Sequence, residues 1–262
     1  EPRLTMAALR ELVGKPDEEL RREVIRTLAM RKSEEAREML LAIARDSKET
    51  RSNRLDAIAG LVGADKPEID KFLMGLAQNP SDPLGTEAER VLRSKATAQE
   101  NASSKEDKRT AEEWLKAIDA LPGVGDPEAG RRIFFHAAGA ACSQCHRFDG
   151  RGNVVGPELS LVGRQGSRLQ ILQSIIDPNR EVAPQFYTTF LELADGSQFT
   201  GILLRSSSNE VYRNNFGEEV TFQKRDIVER RELRSSMMPK GLLSTMNERE
   251  VRDLLAFLTQ HQ

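Results

Sequence analysis

Cysteine and histidine are scarce in this sequence. Its 262 residues include two cysteines, Cys142 and Cys145, and three histidines, His136, His146 and His261. Proteins that depend on a disulfide framework carry several cysteine pairs, so two neighbouring cysteines exclude that class. Any chemistry of the cysteines must come from the short segment that holds both.

Long apolar segments and an excess of one charge are also missing. Hydrophobic residues make up 38% of the chain and aromatic residues 5%, while 39 Lys and Arg nearly balance 41 Asp and Glu. No run of about 20 apolar residues is present, so we expect no transmembrane segment. Neither half of the chain, divided after Thr110, is basic, so we do not expect nucleic acid as a partner.

The first third of the chain has a helical period. Apolar residues recur at helical spacing from Leu4 to about Ser94. Ile25, Ile58 and Val91 follow one another at intervals of 33 residues, and the pair Leu40-Leu41 maps onto Leu73-Met74 by the same interval. Ankyrin repeats share this period, but their Thr-Pro-Leu-His signature is absent. The pattern predicts a HEAT-like α-solenoid, which serves either as a docking surface for another protein or as a packing domain.

A polar stretch over residues 95–109, almost without bulky apolar side chains, marks a domain boundary. The length of the chain fits two domains. We therefore assign residues 1–95 to the helical repeat, 96–125 to a linker with a short helix, and 126–262 to a second domain.

The second domain contains a segment whose apolar period is two, typical of strands. Asp195-Gly196 between two such runs predicts a hairpin, and residues 210–214 with 219–223 predict another. Residues 226–230 are a candidate fifth strand. The fold class is thus mainly α with a β insert, a small antiparallel sheet or barrel at about 185–234.

The most specific motif is Cys142-Ser-Gln-Cys145-His146, a C-x-x-C-H string that is the attachment signature of c-type haem. Two thiols at this spacing reach the two vinyl groups of one porphyrin, and the next imidazole then falls under the iron. The alternatives are a redox dithiol, which lacks a thioredoxin-like context, and a zinc site, which lacks further ligands.

The opposite face of the iron needs a soft or imidazole ligand. Met237 and Met238 lie in a loop stiffened by Pro239, where a methionine is poorly placed to fill a core. Met238 is our first choice and Met237 the second. Met246 and His136 remain as alternatives.

Several strings together resemble the haem-binding cytochrome c domain of large multidomain proteins of planctomycetes and verrucomicrobia, in which HEAT-like helices often precede it. The similarity covers about Asp126 to Leu258. The matching strings are Gly130-Arg-Arg-Ile-Phe-Phe, the C-x-x-C-H pentad, Gly150-Arg-Gly-Asn, Gly156-Pro-Glu-Leu-Ser, Ile175-Ile-Asp-Pro, Asp195-Gly, Ser236-Met-Met-Pro-Lys-Gly-Leu and Leu254-Leu-Ala-Phe-Leu.

The resemblance implies a class I-like cytochrome c fold and a role for each matching residue. Cys142 and Cys145 would anchor haem c covalently, with His146 as proximal and Met238 as distal ligand. Pro157, whose carbonyl would accept a hydrogen bond from His146, joins the cofactor-binding residues.

The resemblance has two further implications for the same domain. Leu159 is counted with the cofactor-binding residues. The helix of Gly130 and Phe134 would cross the helix of Leu254 and Phe257.

The function that follows is an electron-transfer module rather than a catalyst in itself. It would relay electrons from a dehydrogenase, fused or separate, to a respiratory acceptor, with a redox partner docked on the helical repeat. The alternative is a haem-based sensor or peroxidase-like enzyme with an open or labile distal site, for which His136 and Arg164 are candidate acid–base groups. A third hypothesis is an interaction scaffold in which the haem only stabilises the C-terminal domain.

The compartment is inferred from chemistry. Thioether attachment in bacteria takes place outside the cytoplasm, so we expect a periplasmic or cell-surface protein. The sequence begins at Glu1 without the basic and apolar regions of a signal peptide. We therefore expect a mature or excised piece whose leader is not present here.

Overall fold

The structure, a computed structural model, describes residues 4–31, 33–99, 107–136 and 142–261. The chain divides into two compact units, Glu1–Ser104 with His136–Gly139 and Lys105–Phe135 with Ala140–Gln262. The described part is mainly helical with a small antiparallel sheet, which confirms the coarse fold class. None of its helices is long and apolar enough to span a membrane.

The first unit consists of helices that begin at well-formed caps. Side chains of Thr5, Asp17, Ser33 and Thr50 each accept a hydrogen bond from a backbone N–H of the first turn. The helices are α1 (Met6–Val13), α2 (Glu18–Ala29), α3 (Glu34–Arg45), α4 (Arg51–Gly60), α5 (Pro67–Ala77) and α6 (Pro83–Gln99).

The 33-residue period corresponds to one helix pair. Ile25, Ile58 and Val91, on α2, α4 and α6, are all fully buried in one core, and α4 packs against both α2 and α6. The predicted match of Leu40-Leu41 with Leu73-Met74 holds in burial for Leu73, which is buried like Leu40, but not for Met74, which is 58% exposed. Stacked pairs therefore share a continuous apolar core.

The second unit contains both helices and strands. Its helices are α7 (Ala111–Asp119), α8 (Pro127–His136, whose last residue is grouped with the first unit), α9 (Val162–Gln165), α10 (Arg168–Ile176) and α11 (Glu248–Leu258). Its strands are β1 (Arg147–Phe148), β2 (Arg151–Gly152), β3 (Thr188–Leu193), β4 (Gln198–Ser206), β5 (Asn209–Arg213), β6 (Glu219–Gln223) and β7 (Ile227–Glu232).

Helix α7 lies inside the segment 96–125, for which the sequence predicts a linker with a short helix. It packs against α10 and α11, and its Trp114 is 1% exposed. The guanidinium of Arg109 lies 3.6 Å from the Trp114 ring centroid and pairs with Glu248 at the start of α11. The residues from α7 onward therefore belong to the core of the second unit.

Helices α8 and α11 cross closely at a glycine. A Cβ at Gly130 would lie 1.9 Å from the carbonyl oxygen of Asp253, so any side chain there would separate the helices. The ring centroid of Phe134 lies 5.5 Å from that of Phe257 and 5.9 Å from that of Phe148. This is the crossing that the resemblance implies.

The large sheet has the strand order β6-β5-β4-β3-β7 and is antiparallel throughout. It is an open sheet with β6 and β7 at its edges, so the barrel alternative is not what forms. The turn between β3 and β4 contains Gly196, whose φ of 83° suits glycine. Strands β5 and β6 match the second predicted hairpin, and β7 contains most of the candidate fifth strand.

A group of polar side chains is built into this sheet, and we call it the Glu210 cluster. The carboxylate of Glu210, which is buried, accepts hydrogen bonds from the Tyr212 hydroxyl (2.7 Å), the Ser206 hydroxyl (3.0 Å) and Arg230 (3.0 Å). Burial raises the pKa of Tyr212 to about 12, together with its hydrogen bond to Glu210. Burial would also raise the pKa of Glu210, but the three hydrogen bonds outweigh it and hold that pKa below its ordinary value.

Candidate functional site

The C-x-x-C-H segment folds as a tight turn. A short 3₁₀ helix spans Cys142–Gln144, and the carbonyl oxygen of Cys142 accepts from the backbone N–H groups of Cys145 (3.1 Å) and His146 (2.8 Å). Both Cys142 and His146 line the same cavity. The turn therefore presents a thiol and an imidazole to one space.

This cavity lies within the second unit and has a volume of about 480 Å³. Cofactor and ligand pockets commonly have volumes of about 300–1,000 Å³. Most of its lining is apolar, and it includes the predicted residues Pro157 and Leu159. Other apolar residues of the lining are Phe134, Val162, Ile171, Ile175, Val182, Leu242, Leu243, Leu254 and Leu258.

The imidazole of His146 is held in one orientation. Its Nδ1 lies 2.9 Å from the carbonyl oxygen of Pro157, and because a carbonyl can only accept, Nδ1 must carry the proton. Burial lowers the pKa of His146, although the bond to Pro157 opposes the shift. The ring is therefore neutral at neutral pH, and the lone pair on Nε2 is left for a ligand.

Glycines after the pentad make room for this ring. A Cβ at Gly156 would lie 2.5 Å from Cε1 of His146, and one at Gly152 would lie 2.2 Å from the His146 carbonyl oxygen. The backbone N–H of Gly156 donates to the Cys145 carbonyl at 2.7 Å. The glycine-rich stretch thus wraps the pentad closely from the side of Pro157.

The two cysteines are free thiols with different positions. Cys142 lines the cavity, and burial raises the pKa of its thiol to about 12. Burial also raises the pKa of Cys145, which does not belong to the cavity lining within the described ranges. Reactive dithiols have a lowered thiol pKa, so this environment is not that of a thioredoxin-like pair.

Methionine also occurs in the lining of the cavity. Met238 and Met246 both line it, whereas Met237 is not in the lining among the residues that the structure describes. The structure thus brings Met238 into the cavity that His146 lines. Met246, just before α11, is a second thioether at the same cavity.

Polar residues at the cavity include groups that sequence reasoning missed. Gln165, Gln185 and Glu181 belong to the lining. Glu181 follows α10 in a loop without periodicity, so no pattern in the sequence marks it. In the described chain, His136 and Arg164 do not line the cavity, and Arg164 instead donates to the carbonyl of His261.

The zinc alternative has no further ligand set in the described part of the chain. No group of three or more His, Cys, Asp or Glu placed to hold a metal ion occurs there.

Comparison with known families identifies the first unit. Residues 6–93 match the family described as HEAT repeats, which confirms the HEAT-like prediction for this part of the chain. HEAT repeats often mediate protein–protein interaction. No curated protein matches the chain.

Proposed function

We propose that the second unit is a c-type cytochrome module that binds one haem c and transfers electrons. The observation that carries the proposal is the meeting of His146, Cys142 and Met238 at one largely apolar cavity. A haem bound there would supply one-electron cycling between ferric and ferrous iron. The unit would then act as an electron carrier rather than as a catalyst.

The donor set fits this cofactor. The neutral imidazole of His146, with Nδ1 fixed on Pro157, leaves Nε2 as a metal ligand of the kind found in haem proteins. Cys142 and Cys145 would form the two thioether bonds, with Leu159 packing on the cofactor. A class I-like cytochrome c fold is supported by the crossing of α8 and α11 beside the pentad.

Met238 is the proposed distal ligand because it lines the cavity and lies in a loop, where its thioether has no core to fill. Met237 is the less favoured candidate. Met246 remains an alternative distal ligand only because it also lines the cavity. Ligation by one methionine and one histidine raises the reduction potential of a haem relative to ligation by two histidines. A raised potential suits a carrier that accepts electrons from organic oxidation.

The proposed partners are a dehydrogenase that donates electrons and a respiratory acceptor. HEAT repeats often present a protein-binding surface, so docking of a redox partner on residues 6–93 is part of the proposal. The proposed location is the periplasm or cell surface, because haem c is attached outside the bacterial cytoplasm.

The test is the optical spectrum of protein produced in a host with c-haem maturation, oxidised and reduced, with and without carbon monoxide. We expect covalent haem with a low-spin spectrum that is indifferent to carbon monoxide. Met238→Ala should open the iron to carbon monoxide, while Met237→Ala, the neighbouring control, should not. A protein that carries no covalent haem would refute the proposal.

The alternative function is a haem-based sensor or a peroxidase-like enzyme with an open or labile distal site. It is favoured by one observation, the presence of Glu181 in the cavity lining, since peroxide chemistry needs an acid–base group near the iron. This alternative predicts that wild-type ferrous protein binds carbon monoxide readily. It also predicts that Glu181→Gln lowers peroxide turnover, whereas under the first proposal Glu181→Gln leaves the low-spin spectrum unchanged.

A further inference from the structure

We propose that Asn179 and Thr188 are positioning residues for Met238, which fix the loop that presents its thioether to the cavity. The inference rests on the proposed function, because it takes Met238 as the distal ligand. It assigns a role to the turn after α10 and to the first strand of the sheet, both of which lie far from Met238 in the sequence.

The loop needs external support because residues 233–240 contain no helix or strand. A methionine on an unsupported loop samples many positions, and ordering it at a metal requires conformational entropy to be lost on ligation. Hydrogen bonds that fix the loop beforehand remove part of that loss.

Asn179 supports the loop through a short chain of hydrogen bonds. Its Oδ1 accepts from the backbone N–H of Ser236 at 2.8 Å, and the hydroxyl of Ser236 accepts from the backbone N–H of Met238 at 3.0 Å. Two successive bonds therefore connect the Asn179 side chain to the backbone of Met238 itself.

Thr188 binds Ser235, the residue before Ser236. The carbonyl oxygen of Ser235 accepts from both the backbone N–H of Thr188 (3.0 Å) and its hydroxyl (2.8 Å). Thr188 is 4% exposed and is paired with Ile202 of β4, so it is a rigid anchor. The loop is thus hydrogen-bonded at Ser236 to the turn after α10 and at Ser235 to β3, two and three residues before Met238.

The far side of the loop is held more weakly. Lys240 pairs with Asp177 at 3.1 Å, but both side chains are about half exposed, and such pairs contribute little. Gly241 then turns the chain into the last part of the fold with a φ of 79°. The specific restraint on Met238 therefore comes from Asn179 and Thr188.

The structure distinguishes this role from a general contribution to stability. Asn179 is exposed, so replacing it opens no core and removes one acceptor from the loop. Its loss should change how firmly Met238 occupies the sixth position, which spectroscopy and exogenous ligands report, while global unfolding should change little.

The experiment measures the carbon monoxide affinity of the ferrous holoprotein and, in the ferric holoprotein, the methionine–iron charge-transfer band. The variants are Asn179→Ala and Thr188→Val, with Asn179→Asp and Thr188→Ser as conservative replacements that keep the acceptor and the hydroxyl. Thr189→Val is the matched control, because Thr189 is 5% exposed on the same strand and pairs with Gly201 and Glu232.

We expect Asn179→Ala and Thr188→Val each to raise the carbon monoxide affinity by about 3- to 10-fold above the low affinity of the wild type, the factor that corresponds to one net hydrogen bond. The charge-transfer band should weaken in both. The two conservative variants and Thr189→Val should behave like the wild type, and Met238→Ala defines the fully open limit.

Two other outcomes would overturn the inference, and they differ. If Asn179→Ala and Thr188→Val match the wild type while Met238→Ala binds carbon monoxide tightly, Met238 ligation stands and the positioning role is wrong. If the wild type already binds carbon monoxide as tightly as Met238→Ala, then Met238 is not a ligand, and the proposed ligation fails together with this inference.

Discussion

Replacing Gly130 by alanine tests the helix crossing on which the cavity is built. The added Cβ would lie 1.9 Å from the Asp253 carbonyl oxygen and 2.7 Å from Cβ of Phe257, whereas ordinary contacts begin near 3.4 Å. The nearest group is backbone, so α8 and α11 must move apart by roughly 1.5 Å to relieve the overlap, a shift large enough to forfeit much of the dispersion attraction across the crossing.

The free energy of unfolding should fall even though alanine favours helix. Overpacking a core costs about 1–3 kcal/mol. Separation of the Phe134 and Phe257 rings should cost about 1 kcal/mol more. The helix propensity of alanine returns about 1 kcal/mol. We therefore expect Gly130→Ala to destabilise the second unit by about 1–3 kcal/mol.

The assay uses Trp114, the only tryptophan, which is buried in the second unit and therefore reports on its unfolding. Urea titrations followed by tryptophan fluorescence compare Gly130→Ala with the wild type. The control is Gly75→Ala on α5, where a Cβ meets no atom within 4 Å. That change should raise the free energy of unfolding of the first unit by up to about 1 kcal/mol. Unfolding of the first unit is followed by far-UV circular dichroism. A Gly130→Ala protein that resists urea as well as the wild type would show that the crossing is not tight.

Two further predictions concern the ring of His146 and the acid stability of the sheet. Gly156→Ala should turn His146 away, because a Cβ would lie 2.5 Å from its Cε1, so the yield of the proposed low-spin haem protein should fall severalfold; Gly75→Ala, where a Cβ meets no atom within 4 Å, should leave that yield unchanged. Glu210 has a lowered pKa in the folded state, so its contribution is present above its ordinary pKa and is lost as the pH falls through the lowered value. The urea midpoint of the second unit should therefore drop on acidification, and it should drop less in Glu210→Gln; equal drops in the two proteins would contradict this role of the cluster.

The parts of the fold that depend on local patterns could be predicted from the sequence. The interval between Ile25, Ile58 and Val91 identifies the buried face of successive helix pairs, because a repeat must bury the same position each time. The hairpin at Asp195-Gly196 could be predicted because glycine readily adopts the positive φ that a tight turn requires, and Gly196 has a φ of 83°. Both depend on neighbours close in sequence.

The candidate site was predictable where spacing carries chemistry. The pentad predicts Cys142 and His146 as site residues without any tertiary information; both line the cavity, and their role in haem binding stays a prediction. The hydrogen bond between His146 and the Pro157 carbonyl, implied by the resemblance, is present at 2.9 Å. Met238 as the distal ligand stays a prediction.

Other features depend on contacts between distant segments and left no pattern. Glu181 and Asn179 lie in the turn after α10, where hydropathy has no period, and their neighbours come from elsewhere in the chain. Burial of Trp114 on α7 likewise arises from helices that follow much later in the sequence. Only the tertiary structure reveals such positions.

The pairing of β3 with β7 has a consequence for how the second unit closes its cavity during folding. The wall that holds His146 and the loop that holds Met238 are separated by a long chain, but this pairing joins Thr188 to Ser235 and bypasses the strands between them. Within the sheet, β3 to β6 pair with their neighbours in sequence, so only the pairing of β3 with β7 joins strands that are distant along the chain. Bypassing the strands between Thr188 and Ser235 roughly halves the length of chain between His146 and Met238 that remains to be closed into a loop. This lowers the entropic cost of closing that loop by about 0.6 kcal/mol. The inserted strands thus shorten the search by which the two walls of the cavity meet.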